Sequence, residues 1–364
     1  MDILFVSKYN TIRSKLAEAY FHKYNKLKQL NAQSAGVFRG GPTPAEVMEF
    51  ARSHQLSLKT SQSGMSTHLL DKHDVVILVA NDVPTSLFTK NNPHVKNFVV
   101  WNIAIPADSA DAHSCELMMK DIERRVQALL EQLGQETKTM EVLDRVLFDI
   151  RRLHDPAVVT EWMRIGHPGK KFYGVDIKKL KTIAARHARD RVLARGLWKT
   201  GIHDARVLAA MVEDPSEVTE HQIETWLRQA DFWDITDRIA IDLLPHTEFG
   251  FAKIKTWVRE NNPWCRRAAW VLLGRCAKTH VDTPDKSFER MLDVIPKTVK
   301  KEDRWVAEAM LHAIVSVGRR NARLYQKALR VAGKVSDVKI DYGDPSIPTP
   351  NPLTRLEAMT PPAE

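Results

Sequence analysis

Cysteine is scarce in this chain, with three among 364 residues, and Cys115, Cys265 and Cys276 fall at spacings that suit neither a metal site nor a paired framework. A disulfide-stapled scaffold is thereby excluded, and a reducing, cytoplasmic setting is expected. No metal and no cofactor are expected either. Long hydrophobic runs are also missing: the run Val75 to Ala80 is far short of a membrane span. The opening MDILFVSKYN has no charged segment followed by a long apolar one, so neither a secretory signal nor a membrane partner is expected. Acidic residues are in deficit, 45 against 54 basic ones, which gives a net charge of +9. That balance favours a polyanionic partner.

What is present is an ordinary globular composition, 43% hydrophobic and 27% charged, in a chain long enough for two domains. Residues 1–134 hold 15 basic and 13 acidic side chains, and the remainder hold 39 and 32. The positive excess therefore lies in the second part, and a nucleic acid would bind there.

The first third alternates strand and helix signals. Ile3 to Val6, Val75 to Ala80 and Phe98 to Trp101 read as buried parallel strands. A helix begins near Arg13, and Thr43 to His54 and Ser114 to Leu133 read as amphipathic helices. This alternation predicts a small doubly wound parallel sheet over 1–134. The polar stretch Gly134 to Thr139 reads as a linker, with residues 135–139 between the two domains. Beyond it, apolar positions recur at helical spacing, as in Ile177/Leu180/Ile183/Ala184 and Trp305/Ala309/His312/Ala313. Asp214-Pro215, Leu244-Pro245, Asn262-Pro263 and Thr283-Pro284 separate them. Helix pairs at a period of about 40 residues predict an all-helical solenoid over 140–340. The proline-rich end, 341–364, reads as an extended tail.

Two constellations carry chemistry. Ser7-Lys8-Tyr9-Asn10-Thr11-Ile12-Arg13-Ser14 lies between a strand and a helix start, where backbone N–H groups and the helix dipole converge on an oxyanion and Arg13 can grip two oxygens. ILFVSKYNTIRSKLAEAYF, with Ser34-Ala35-Gly36 and the strand at Val75 to Ala80, resembles the low-molecular-weight protein tyrosine phosphatases and their arsenate-reductase relatives over about residues 1–134. The resemblance implies a nucleophilic cysteine where this chain has Ser7. A serine hydroxyl has a far higher pKa than a thiol, and no adjacent base is evident in the sequence. The family's general-acid Asp-Pro pair is here Ile105-Pro106, with Asp108 a displaced candidate. Phosphatase or reductase turnover is therefore not expected. The domain either only packs, or binds a phosphate or phospho-ligand through Ser7, Asn10, Arg13 and Ser14.

In the second constellation, Trp233 and Asp237 lie four apart on one helix, and Arg266-Arg267 sit near the start of another. Singly, such residues usually serve a core or a helix dipole. The ordered series Phe172-Tyr173-Gly174-Val175, Leu197-Trp198 with His203-Asp204-Ala205-Arg206, Phe232 to Asp237, Trp264 to Ala269, and Asp341-Tyr342-Gly343-Asp344 with Thr349-Pro350 resembles the HEAT-like-repeat DNA alkylation-repair glycosylases over about 140–350. The fold implied is thus multidomain, a phosphatase-like α/β domain followed by an all-α HEAT-like solenoid.

The resemblance implies a monofunctional glycosylase for cationic alkylated purines, of the 3-methyladenine and 7-methylguanine type, in double-stranded DNA. In that role Trp233 packs against the lesion by cation–π contact, Asp237 faces the glycosidic bond, and Arg267 holds the backbone. Arg266, Arg206 and His312 are further DNA-binding candidates. His312 also aligns with the family's second active-site tryptophan. Lys170, Lys171, Lys300, Lys301, Arg319 and Arg320 are candidates for a phosphate track. The competing expectation is a non-catalytic DNA-binding or scaffold module. Either partner implies a cytoplasmic protein, nucleoid-associated when bound.

Overall fold

Alternate residues of a strand point to opposite sheet faces, so a strand buried on both sides must be apolar throughout. Within Asp2–Ser7 (β1) the stretch Ile3 to Val6 meets that condition. Ile3 and Phe5 pack with Leu16, Phe21, Ile122 and Val126 on one face, while Leu4 and Val6 pack with Leu70, Leu78 and Phe88 on the other. Each such side chain contributes roughly 1.5–3 kcal/mol on burial. β1 pairs in parallel with Asn31–Gly36 (β2) and Val75–Val79 (β3), and β3 with Phe98–Trp101 (β4), in the order β2-β1-β3-β4. The computed structural model describes residues 1–89, 92–106, 112–168 and 171–362. They form two units, Met1–Lys138 and Thr139–Glu364.

β2 is a strand that the hydrophobic pattern does not announce. Its sequence, NAQSAG, is small and polar because it backs the loop after β1. A Cβ on Gly36 would stand 2.7 Å from the Asn10 backbone nitrogen, so only glycine permits that approach.

Residues 134–139, expected as a linker, are helical and lie within the helix Ala112–Arg152. Gln135, Glu136 and Lys138 are good helix formers, and no proline interrupts the chain between Ala112 and Pro156. Polarity there marks an exposed helix face rather than a break.

The second unit is built of helices set off by side-chain caps. Asp155, Asp176, Asp190, Thr219, Asn262, Asp303 and Asn321 each accept from backbone N–H groups in the first turn that follows. Asn262 is followed by Pro263 at the first helical position, where a missing N–H costs nothing. Two long helices, Pro263–Thr279 and Arg304–Gly318, lie side by side in the same sense. Arg267 meets Trp305 and Glu308 near one end, and Gly274 meets Ser316 further along, where a Cβ on the glycine would come within 2.9 Å. Successive helix pairs stacked this way give the HEAT-like arrangement. The expected extended tail instead packs back. Tyr342 and Leu356 are buried, Pro352–Glu357 is a helix, and the Tyr325 hydroxyl donates to the Leu356 carbonyl at 3.1 Å.

Candidate functional site

The helix Trp233–Arg238 places Trp233 and Asp237 one turn apart, then widens over Ile239–Leu243, an irregularity common beside functional positions. Trp233 stands 6.1 Å from Trp305 and 5.5 Å from Trp162, and Trp305 stands 5.5 Å from Tyr342, centroid to centroid. Trp233, Trp305 and Tyr342 border a cavity of about 570 Å³ that Asp237, Arg267, Trp270, Glu308 and His312 also line.

Arg267 organises the floor. Its Nε and Nη2 donate to the two oxygens of Asp237 at 2.7 and 2.9 Å. Its Nη1 donates to the Trp305 carbonyl at 2.5 Å and to Glu308 Oε2 at 3.0 Å. The guanidinium lies 5.3 Å from the centre of the Trp233 ring. Glu308 Oε1 accepts from the Tyr342 hydroxyl at 2.8 Å. Burial pushes the Asp237 carboxyl above the ordinary range, against the pull of Arg267. Burial, with Glu308 adding to it, pushes the Tyr342 hydroxyl up as well.

The structure differs from several sequence expectations here. Arg267 is 3% exposed and spends its donors on protein acceptors, so it positions carboxylates rather than lying open to a DNA backbone. Arg266 is tied to Glu302 and to the carbonyls of Glu260 and Asn261. Arg206 stacks on Trp198 and donates to the Gln229 carbonyl. His312 lines the cavity, but the second tryptophan beside Trp233 is Trp305, two turns earlier on the same helix. Burial lowers the His312 pKa, and its Nδ1 faces Arg355 Nη1 at 3.0 Å. Because an arginine can only donate, that nitrogen accepts, and His312 presents a neutral ring.

Among the phosphate-track candidates, Arg320 caps the carbonyls of Ala277, His280, Val281 and Thr283, and Lys300 pairs with Asp337. Lys171 donates to the Thr200 carbonyl, and Lys301 is exposed. Arg319 lines a groove with Lys278. Lys170 lies outside the described residues.

Trp305, Glu308 and Tyr342 were not among the expected site residues. Trp305 was visible in the sequence only as one member of an apolar helix face, and Tyr342 as part of a motif in the tail.

A second cluster lies behind Trp233. His203 Nε2 bonds Asp234 at 2.8 Å, and its Nδ1 faces His167 at 3.1 Å. Burial opposes charge on His203, yet Asp234 and Asp231 outweigh it and raise the imidazole to about 10. Burial and then the neighbouring His203 lower His167 to about 4.

In the first unit, Asn10 adopts a left-handed backbone, φ 49°, which asparagine tolerates. Its amide donates to Ser14 and Ser34 at 3.0 and 2.9 Å, and its carbonyl accepts from Ser63 N at 3.0 Å. The Ser7 and Ser14 hydroxyls lie 2.8 Å apart. Arg13 is buried. Nη1 donates to the Ile103 carbonyl at 2.7 Å, Nη2 pairs with Asp82 at 2.5 Å, and Nε has no partner among the described residues. Ile105 is exposed, and Pro106 lines an apolar cavity of about 490 Å³ with Ile12 and Met119. Asp108 lies outside the described residues.

The fold and site define a helical-repeat protein with an aromatic, carboxylate-bearing cavity, joined in sequence to a small parallel α/β unit. The chain belongs to the DNA alkylation repair enzyme family, whose model matches residues 147–358. Residues 2–139 match the model for low molecular weight phosphotyrosine protein phosphatase. An uncharacterized protein of Listeria monocytogenes is 21% identical over 222 residues, 60% of this chain and 97% of the relative. A solved structure described as a new family of proteins related to the HEAT-like repeat DNA glycosylases, with affinity for branched DNA structures, superposes with TM-score 0.54 at 19% identity, over 59% of this chain and 92% of that one. The arsenate reductase of Archaeoglobus fulgidus is 26% identical over 35% of this chain and 98% of its own, with TM-score 0.29. Among the described residues no helix is long and apolar enough to cross a membrane.

Proposed function

We propose that the helical unit removes cationic alkylated purines from duplex DNA by hydrolysis, with Trp233 and Trp305 flanking the base and Asp237 facing the glycosidic bond. The observation that carries this reading is the convergence of two tryptophans, Asp237 and Arg267 on one cavity. An alkylated purine is cationic and already a good leaving group. Aromatic faces attract it, and one carboxylate suffices to stabilise the oxocarbenium ion that develops. For this, Asp237 must turn at least one oxygen away from Arg267. Glu308 and the Trp305 carbonyl then keep the guanidinium in place. The test is release of 7-methylguanine or 3-methyladenine from methylated duplex by the wild-type chain, with Asp237→Asn as comparison. Release that Asp237→Asn abolishes is the expected result; no release from wild type sinks the reading.

A second reading, a DNA-binding module without excision, is favoured by one feature: both Asp237 oxygens are occupied by Arg267. The described affinity of a related fold for branched DNA agrees with it. It expects salt-dependent duplex binding with no base released.

For the first unit the reading is an anion-binding loop without thiol chemistry. On this reading Ser7 takes the place of the phosphatase cysteine, and its hydroxyl is paired with Ser14 rather than with a base. The ligand is a phosphate or phospho-group. Titration calorimetry with inorganic phosphate tests it: heat that Arg13→Ala abolishes supports the reading, and no heat from wild type removes it.

A further inference from the structure

Arg267 is a single cation facing two carboxylates. Asp237 takes Nε and Nη2, while Nη1 is shared by Glu308 and the Trp305 carbonyl. Glu308 is fixed from its other side by the Tyr342 hydroxyl. Among the charged side chains that line the tryptophan end of the cavity, two carboxylates face one guanidinium, a surplus of one negative charge. Arg304 stands 5.0 Å from the centre of the Trp305 ring without lining the cavity, and its guanidinium donates to the Ile165 carbonyl. The other charged groups of the lining lie further along. His312 is neutral and paired with Arg355, two turns beyond Trp305. Arg275 and Lys278 line the cavity 8 and 11 residues beyond Arg267, roughly 12 and 16 Å along the helix. The cavity is therefore acidic where the rings are and basic at its far end.

The Glu308 charge is not needed to seat Arg267. The two-pronged Asp237 contact and the Trp305 carbonyl already do that, and a neutral amide at 308 would still accept from Arg267 or Tyr342. That leaves the charge free to act on whatever enters between Trp233 and Trp305. An aromatic face already favours a cationic ring through its quadrupole, and a carboxylate beside it adds Coulomb attraction for the cation alone.

The geometry points to Glu308 as a specificity-determining residue, whose charge makes the tryptophan end of the cavity select a cationic purine ring over its neutral counterpart. This rests on the reading of the cavity as a base pocket, and it does not require that excision occurs.

The test uses the full chain and calorimetric titration with 7-methylguanosine 5′-monophosphate against guanosine 5′-monophosphate, at a mildly acidic pH that keeps the methylated ring cationic. The shared phosphate cancels any contact with the basic end. Wild type is expected to favour the methylated nucleotide by about tenfold. Glu308→Gln should lower the ratio several-fold, leaving only the preference that the aromatic faces supply. Should the glutamine variant fail to fold, Glu308→Ala carries the same expectation. A wild-type ratio preserved in the neutral variant, or a wild type that binds both nucleotides equally or neither, overturns the proposal. If no base is released from methylated DNA while the ratio still depends on Glu308, the catalytic reading fails and this one stands. If base is released but the ratio ignores Glu308, only this one fails.

Discussion

Position 305 shows why single residues in a helical repeat are hard to assign from sequence. Trp305 shares a periodic apolar face with Ala309 and Ala313, so periodicity classifies it as core, and alignment by motif spacing chose His312 instead. Only the lateral approach of Pro263–Thr279 and Arg304–Gly318 brings Trp305 beside Trp233. Asp237 and Arg267 were legible because both belong to compact motifs, yet the role expected of Arg267 was not, since burial is a property of the packed unit. The buried arrangement sets a clear expectation. Arg267→Ala would strand Asp237 and Glu308 without their counterion, and losing one partner of such a buried group costs about 3–5 kcal/mol. Denaturant unfolding should show that loss, whereas an arginine held out for phosphate would unfold unchanged on truncation. In the first unit the corresponding residue is Asp82, which occupies Arg13 Nη2. Asp82→Asn should strengthen phosphate binding several-fold by releasing the guanidinium. Calorimetry that finds weaker or equal binding contradicts the anion-loop reading.

At the scale of elements, strands buried on both faces were readable from their apolar runs, and β2 was not, because it is built to let Asn10 approach Gly36. Proline and cap residues marked helix starts well, as at Asn262-Pro263. Polarity alone read a break in the chain at 134–139, where a helix continues with its polar face outward, although the change of unit does fall there, between Lys138 and Thr139. The amino-terminal end of Trp233–Arg238 depends on a further element contact: His203, at the start of His203–Val212, bonds Asp234. The folded pKa of His203 is raised to about 10 from an ordinary 6.5. Its contribution to stability is therefore complete below pH 6.5 and is lost as pH rises toward 10. His167 is shifted the other way, to about 4, so its contribution is complete above 6.5 and lost as pH falls toward 4. Together they predict a melting temperature that peaks near pH 6.5 (the common unfolded value) and declines on both sides. His203→Gln should flatten the alkaline limb and, by removing the cation that helps to lower His167, make the acid one shallower. A melting profile with its alkaline limb unaltered in that variant would exclude the His203–Asp234 pair as its cause.

For the molecule as a whole, net charge indicated a polyanionic partner and assigned it to the second part of the chain, but could not say which cations are available. The structure divides them. Arg266, Arg267, Arg320 and Lys300 hold protein acceptors, whereas Arg275 and Lys278 line the basic end of the cavity and Arg319 the groove beside it. Counterion release ties each phosphate contact to the salt dependence of binding, with a slope in log K against log salt of about −0.9 per contact. Duplex affinity measured across a salt series should therefore lose close to one unit of slope in Arg275→Gln and again in Lys278→Gln. Arg266→Gln and Arg320→Gln should lower the unfolding free energy and leave the slope as it was. The two groups separate because a cation already committed to a carbonyl or carboxylate releases no counterion when DNA arrives. If the slope falls equally in both groups, the arginines committed to protein acceptors must open on binding, and the rigid cavity described here is not the form that meets DNA.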